Sequence, residues 1–278
     1  MDWNSIDYSS PKVMGILNVT PDSFYDGGSY TTENAIQQRL EKMLDEGADI
    51  VDIGAYSSRP GAADVPEDEE LNRLWKVLQI IKRDYPEVLV SIDTFRLNVI
   101  QKVFDRFGQV MVNDISGGNF DQKMIEFTAK NCLPYVCMHM QGMPQTMQQN
   151  PHYQNVVEEI LAFFKKKIEE ANKFNHKHFV IDPGFGFGKT VEQNYELMNR
   201  LDTFVSLGFP LLVGISRKSM IQKVLNCTAD EALNGTTVLN TFALTKGANI
   251  LRVHDVKEAK EVVKLFEKYN QILENENL

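Results

Sequence analysis

Short runs of aliphatic and β-branched residues alternate along this chain with longer stretches of helical period. VMGILNV (13–19), DIVDIG (49–54), VLVSID (88–93), QVMVND (109–114), LPYVCMH (133–139), HFVID (178–182), PLLVGI (210–215) and NILRVH (249–254) read as strands. Apolar positions spaced at three and four predict helices near 32–46, 67–84, 95–106, 121–131, 152–174, 190–206, 229–246 and 256–273. Pro66 followed by acidic residues suits a helix start, and Gly47 suits a helix end. Strand followed by helix, repeated to the end of the chain, matches the (β/α)8 TIM barrel, an α/β fold of about 250 residues. An open, doubly wound parallel sheet is the alternative. No linker or low-complexity stretch divides the sequence, so residues 1–278 are expected to form a single domain with a barrel core near 12–270.

In either fold, ligands sit at the carboxyl ends of the strands. Those ends are unusually polar here: Asn18, Asp52, Asp93, Asn113, Asp114, His139, Asp182, Ser216, Arg217, Lys218, Arg252 and His254. Turn formation accounts for the asparagines and some aspartates. It does not account for basic residues on the last two strands beside several carboxylates. Arg217, Arg252 and His254 fall where this fold commonly holds phosphate, and arginine's planar fork suits that anion. An ion pair among strand-end residues is the other reading of Arg252. Asp93 and Asp182 have the chemistry to accept two parallel hydrogen bonds from a flat amidine edge, the shape of a pterin or guanine. The connections 18–32 and 55–67, after strands 1 and 2, are long and rich in Pro and Gly. Long loops in compact barrels are commonly binding loops. Arg59 in the second is a cation in reach of a site at that mouth; a plain surface loop is the alternative.

The net charge of −9 argues against nucleic-acid binding through a general basic face. Cys132, Cys137 and Cys227 form no C-x-x-C, and read as free thiols of a reducing compartment. No leader pattern or membrane-spanning apolar run is visible, so a cytoplasmic location and no membrane association are expected.

The stretch DPGFGFGKT (182–190) looks like a phosphate-binding G-x-x-x-x-G-K-[ST] loop, but Pro183 stands where the first glycine belongs. The alternative is a glycine-rich turn that brings Phe185 or Phe187 over the pocket mouth. MHMQGMPQTMQQ (138–149) is Met-rich, either as irregular core filler or with Met138 or Met140 against a ligand's flat face. His139 beside them reads as a hydrogen-bonded core histidine, with no zinc motif in support of a ligand role.

Taken together, ILNVTPDSFYDGG (16–28), SSRPGA (57–62), SIDT (91–94), NDISGG (113–118), MHMQGMPQTMQ (138–148), DPGFGFGKT (182–190), SRKS (216–219) and LRVHDV (251–256) resemble the dihydropteroate synthase family, in the family's order. The resemblance implies a homodimeric TIM barrel that joins 4-aminobenzoate to 6-hydroxymethyl-7,8-dihydropterin diphosphate, with Mg2+, releasing 7,8-dihydropteroate and diphosphate in folate synthesis. It implies an SN1-like loss of diphosphate. By motif, Asp93, Asn113, Asp182 and Lys218 would hold the pterin, with Met138 and Phe187 against it. Asn18, Arg252 and His254 would hold the diphosphate, with Asn18 also at the metal and Asp26 a further candidate there. Phe24, Ser58, Arg59, Pro60, Phe187 and Ser219 would shape the 4-aminobenzoate site. Asp93, Arg59, Lys218, Arg252 and His254 would carry the chemistry.

The second loop departs from the family's D-I-G-G-E-S-T-R-P-G-A. It reads DIGAYSSRPGA (52–62), so Ala55, Tyr56 and Ser58 replace Gly, Glu and Thr. Tyr25 stands where Ser is common. Affinity for 4-aminobenzoate and for sulfonamide mimics is where these changes bear. Pterin-dependent methyltransferases share the barrel, and a non-catalytic pterin-binding barrel is a further alternative. SSRPGA and SRKS favour the synthase, which alone has a diphosphate and an aminobenzoate to hold.

Overall fold

The structure, a computed structural model, describes residues 3, 6–19, 32–56, 64–143 and 146–276. Its strands are β1 Lys12–Asn18, β2 Ile50–Gly54, β3 Leu89–Asp93, β4 Met111–Asp114, β5 Tyr135–Met138, β6 Phe179–Asp182, β7 Leu212–Val213 and β8 Ile250–Val253. All pair in parallel, in the order β6-β5-β4-β3-β2-β1-β8-β7. A parallel bridge between Ile181 and Leu211 joins the two ends of this row, and the Ile181 N–H donates to the Pro210 carbonyl at 3.0 Å. The row therefore nearly closes on itself, and the fold is the barrel rather than the open sheet. The seam is thin because β7 is short.

Helices α1 Thr32–Asp45, α2 Glu67–Asp84, α3 Leu97–Phe107, α4 Met124–Lys130, α5 Val156–Lys173 and α6 Val191–Asn199 follow the first six strands. Pro66 caps α2, whose first turn is acidic throughout. Thr190 and Gln193 form a reciprocal capping box at the start of α6. Two differences from the periodicity stand out. The stretch expected as one helix near 190–206 is α6 followed by a 3-10 turn, Leu201–Leu207. Two helices, α7 Ser219–Leu225 and α8 Leu233–Thr245, follow β7 where one was expected. The last helix is α9 Val256–Glu276. No helix among the described residues is long and apolar enough to cross a membrane.

Period-two alternation sorts the strand residues onto two faces. Val13, Val51, Val90, Val112, Tyr135, Ile181, Val213 and Leu251 join one large cluster with the helices. Met14, Ile50, Met111, Val136, Val180, Leu212 and Ile250 form a separate cluster inside the barrel, together with Trp3. That inner layer is an apolar plug at the amino ends of the strands. Two residues further along, the same inner face carries Asp52, Asn113, Met138, Asp182 and Arg252. The floor is apolar and the mouth is polar because the side-chain period is two.

Candidate active site

Register brings part of the mouth into one row. Asn18 pairs with Gly54, Gly54 with Asp93, and Asp93 with Asn113. Across it reaches Arg252 from β8. Its Nε donates to Asp52 Oδ2 and its Nη2 to Asp93 Oδ2, each at 2.7 Å. Asn113 Nδ2 donates to the same Asp52 oxygen at 3.1 Å. Asp52 is fully buried, and its other oxygen has no partner. One guanidinium thus serves two carboxylates. Burial pushes the Asp93 carboxyl up to about 7, Arg252 pulling it back and Asp52 pushing it further. Burial also works against the Arg252 charge, but Asp52 and Asp93 outweigh it and hold that group above its ordinary value.

On the opposite side, Asp182 Oδ1 accepts the Gly184 N–H at 2.7 Å. Burial raises the Asp182 carboxyl above its ordinary range, with the Lys218 charge the largest opposing influence. Burial lowers Lys218 to about 8, and Asp182 resists that fall. Lys218 Nζ donates to the Phe185 carbonyl at 2.6 Å and lies 4.8 Å from the centre of the Phe187 ring. Phe187 and Phe95 border an apolar cluster of Ile115, Met138, Met140 and Met147. Carboxylates beside a flat apolar wall suit a flat heterocycle with polar edges.

DPGFGFGKT is the glycine-rich turn and not a phosphate loop. Gly184 has φ +70°, and a Cβ there would run into the His139 carbonyl oxygen. The loop is thereby pressed onto the β5 connection. Lys189 is turned inward, donating to the Gly184 and Phe187 carbonyls at 2.8 and 3.0 Å and lying 3.3 Å from His139 Nδ1. Burial lowers its ammonium to about 7. It closes the turn upon itself and presents nothing to a phosphate. Of the two phenylalanines, Phe187 reaches the wall, whereas Phe185 is fully buried among the helices. His139 is buried against the Phe163 ring, as its core reading expects.

The basic corner is narrower than the sequence suggests. Arg217 binds Asp255 with Nε and Nη2 at 2.8 and 2.9 Å and spends Nη1 on the Ala229 and Asp230 carbonyls. It holds the β7 and β8 connections together and leaves the phosphate corner to Arg252 and His254. His254 Nδ1 lies 3.0 Å from Ser216 Oγ, which also accepts the His254 N–H at 3.1 Å. Burial, then the neighbouring Arg252 charge, lowers His254 to about 4. Without an anion beside it, the imidazole is a neutral hydrogen-bonding group at pH 7 rather than a cation.

Ser219 begins α7 and is exposed beside Lys218. It borders a cavity of about 570 Å3 between the β6–α6 connection and α7, lined also by Thr190, Asn194, Met220 and Lys223. That cavity does not reach Asp93, Asp182 or Arg252. Phe24, Asp26, Ser58, Arg59 and Pro60 lie outside the described residues.

Comparison with known proteins places this geometry. The family model described as "Pterin binding enzyme" matches residues 14–254. The dihydropteroate synthase of Escherichia coli K12 is 43% identical over 266 residues, covering 95% of this chain and 93% of that one. The chain belongs to the dihydropteroate synthase family. A solved Yersinia pestis dihydropteroate synthase, in a sulfonamide drug complex, superposes with a TM-score of 0.88 at 40% identity, covering 96% of each chain. A Xanthomonas albilineans dihydropteroate synthase in complex with 7,8-dihydropteroate gives 0.85 at 32% identity, covering 95% of each. The chain is a transferase, and its reaction is the condensation of 6-hydroxymethyl-7,8-dihydropterin diphosphate with 4-aminobenzoate. In this synthase, Asp52 is the residue that sequence reasoning named without giving it a task. The signal was present: Asp52 and Gly54 share a face, and Gly54 is level with Asp93.

Proposed function

We propose that this synthase expels diphosphate before the arylamine attacks, and that the grouping of Asp52, Asp93 and Arg252 is arranged for that order. Asp182 and Lys218 hold the polar edge of the pterin, and Met138 and Phe187 cover its face. Asp182 Oδ1 already takes the Gly184 N–H, which leaves the other oxygen and one lone pair for the substrate's N–H and NH2 groups. The C–O bond to the exocyclic methylene breaks, and its electron pair leaves with the diphosphate. Arg252 and His254 face that growing negative charge. Ionised Asp93 stabilises the cation left on the pterin methylene. The arylamine nitrogen then bonds to that carbon and sheds its proton after attack, so no strong general base is required. Residues 58–60, Phe187 and Ser219 receive the arylamine and exclude water, which would otherwise capture the cation.

The observation that carries this reading is the Arg252 guanidinium bridging two buried carboxylates. An incoming diphosphate competes for the same cation and leaves Asp93 less neutralised, beside the carbon where positive charge develops.

Magnesium fits a partial role. Among the described residues no group of three or more His, Cys, Asp or Glu is arranged to hold a metal. A magnesium ion that keeps several waters and takes oxygens from substrate phosphates needs little more from the protein than one hard oxygen. Asn18 offers such an oxygen at the mouth, with Asp26 a further candidate. When bound, the ion would neutralise charge on the diphosphate. The working form is a homodimer, a reading supported by exposed apolar side chains on Leu201–Leu207, α7 and α8. The three thiols, all free, support a cytoplasmic setting.

The test is diphosphate release from the pterin diphosphate and Mg2+, with and without 4-aminobenzoate, alongside mass detection of dihydropteroate. Stoichiometric release and product are expected. The site is checked by two variants. Asp182→Asn is expected to weaken pterin binding at least about tenfold, since an amide cannot accept both hydrogen bonds. Arg252→Lys keeps the charge but loses the fork. It is expected to weaken diphosphate binding while sparing a pterin without phosphate. Equal loss of both ligands in calorimetry would make Arg252 a structural tie alone.

A further inference from the structure

Aromatic and charged side chains gather at one place that the chemistry above does not use. Tyr56 and Asp64 stand on either side of residues 57–63, the stretch that contains Ser58, Arg59 and Pro60. Tyr56 Oη donates to Asp64 Oδ1 at 3.2 Å, so the two sides of the loop's base are joined directly. Arg96 joins them again. Its Nη2 donates to the same Asp64 oxygen at 3.2 Å, and its Nη1 to the Val65 carbonyl and to Glu70 Oε2, each at 2.7 Å. Its guanidinium carbon lies 5.1 Å from the centre of the Tyr56 ring and 5.5 Å from that of Phe95. Tyr56 meets Phe95 edge to face at 5.2 Å, and Phe95 meets Phe120 in the same way at 5.2 Å.

This cluster is tied to the site at its other end. Phe95 follows Asp93 by two residues and packs on the Met138 and Met140 wall. A continuous path of contact therefore runs from the connection that carries Asp93 to the base of the loop that carries Arg59. The path has a firm and a soft part. The Arg96–Glu70 pair is largely buried, with side-chain exposures of 19% and 1%, whereas Asp64 is 73% exposed and its ion pair is screened. The Tyr56 ring, held by Phe95 and Arg96, supplies the firmness that Asp64 lacks.

We propose that Tyr56 is a positioning residue for the arylamine substrate, its ring and hydroxyl fixing the base of the 57–63 segment relative to Asp93. The inference rests on the reading that Ser58, Arg59 and Pro60 serve 4-aminobenzoate. A segment tied at both ends pays part of its ordering cost before the substrate arrives, and small displacements of a binding group are costly. Tyr56 stands where the family pattern has Glu, so the device belongs to this chain's own departure from that pattern.

The test is steady-state kinetics with each substrate varied in turn, for Tyr56→Ala, Tyr56→Phe and Arg59→Ala. Tyr56→Ala is expected to raise the KM for 4-aminobenzoate about tenfold, with the KM for the pterin diphosphate within about twofold of wild type. Tyr56→Phe keeps the ring contacts and loses one exposed hydrogen bond, so it is expected to recover most of that loss. A purely structural role would damage both substrates together, and equal losses, or none, would overturn the proposal. Arg59→Ala separates the two readings. A raised aminobenzoate KM there, with wild-type values in Tyr56→Ala, removes only the role of Tyr56. An aminobenzoate KM unchanged in Arg59→Ala removes both.

Discussion

At the scale of single residues, Asp52 has the largest influence for a group that faces no substrate in the proposed scheme. It shares the Arg252 guanidinium with Asp93, so it acts on Asp93 twice. Its negative charge opposes ionisation of the neighbour, and it draws on the cation that would favour it. Both effects raise Asp93, which burial already lifts to about 7. The sign for Asp52→Asn follows. With that charge removed, Asp93 ionises at lower pH. If ionised Asp93 stabilises the methylene cation, the acid limb of kcat/KM moves to lower pH, and the rate at pH 6 rises relative to that at pH 8. A pH–rate profile of the two proteins decides it. A limb that stays in place would assign it to another group. The Asp52–Arg252 contact joins residues 200 positions apart, so no local pattern announces it. What was legible was the alternation that places both side chains inside the barrel.

At the scale of elements, the β6–α6 connection shows how a motif can mislead. Its letters suit a phosphate loop, yet Lys189 is consumed by the loop's own carbonyls and Gly184 lies where only a glycine fits against His139. Gly184→Ala is expected to cost about 1–3 kcal/mol from the left-handed φ alone, and more from the collision. For a protein of this size each kcal/mol corresponds to a Tm lower by about 2–4 °C. Lys189→Met, which leaves those carbonyls unpaired, is expected to lower Tm as well while leaving any affinity for ATP unmoved. Differential scanning calorimetry and a nucleotide titration check the pair; loss of measurable ATP binding in the variant would restore the phosphate-loop reading. The remaining elements divide by length. Long amphipathic segments such as α2 and α5 were plain in the sequence. The short α7 was not, because SRKSMIQKVL offers barely two turns of period and a charged start. The break between α6 and Leu201–Leu207 was also hidden, since no Gly or Pro marks Asn199 or Arg200.

At the scale of the whole molecule, α8 is unusual for an outer helix of a barrel. Leu233–Thr245 contains no charged residue, and Val238 and Phe242, one turn apart, are 44% and 52% exposed. Val205, Val224 and Leu225 are exposed as well. Their elements adjoin α8: the Gly247 backbone at its end lies against Val205, and Gly235 near its start lies against Leu225. The result is one apolar face around a helix without a solvating charge, which is the composition of an interface rather than of a surface. A second copy of this chain is the proposed occupant, through a two-fold contact in which α8 meets its counterpart. The face lies outside the β7 and β8 walls, away from the polar mouth, so dimerisation and substrate binding are separable. Phe242→Asp sets a carboxylate in the middle of that contact, and a buried unpaired charge outweighs what the remaining apolar area recovers. Sedimentation velocity is expected to show a dimer for the wild type and a monomer for the variant, with pterin affinity retained. A wild-type monomer, or a variant that stays dimeric, would place the partner surface elsewhere.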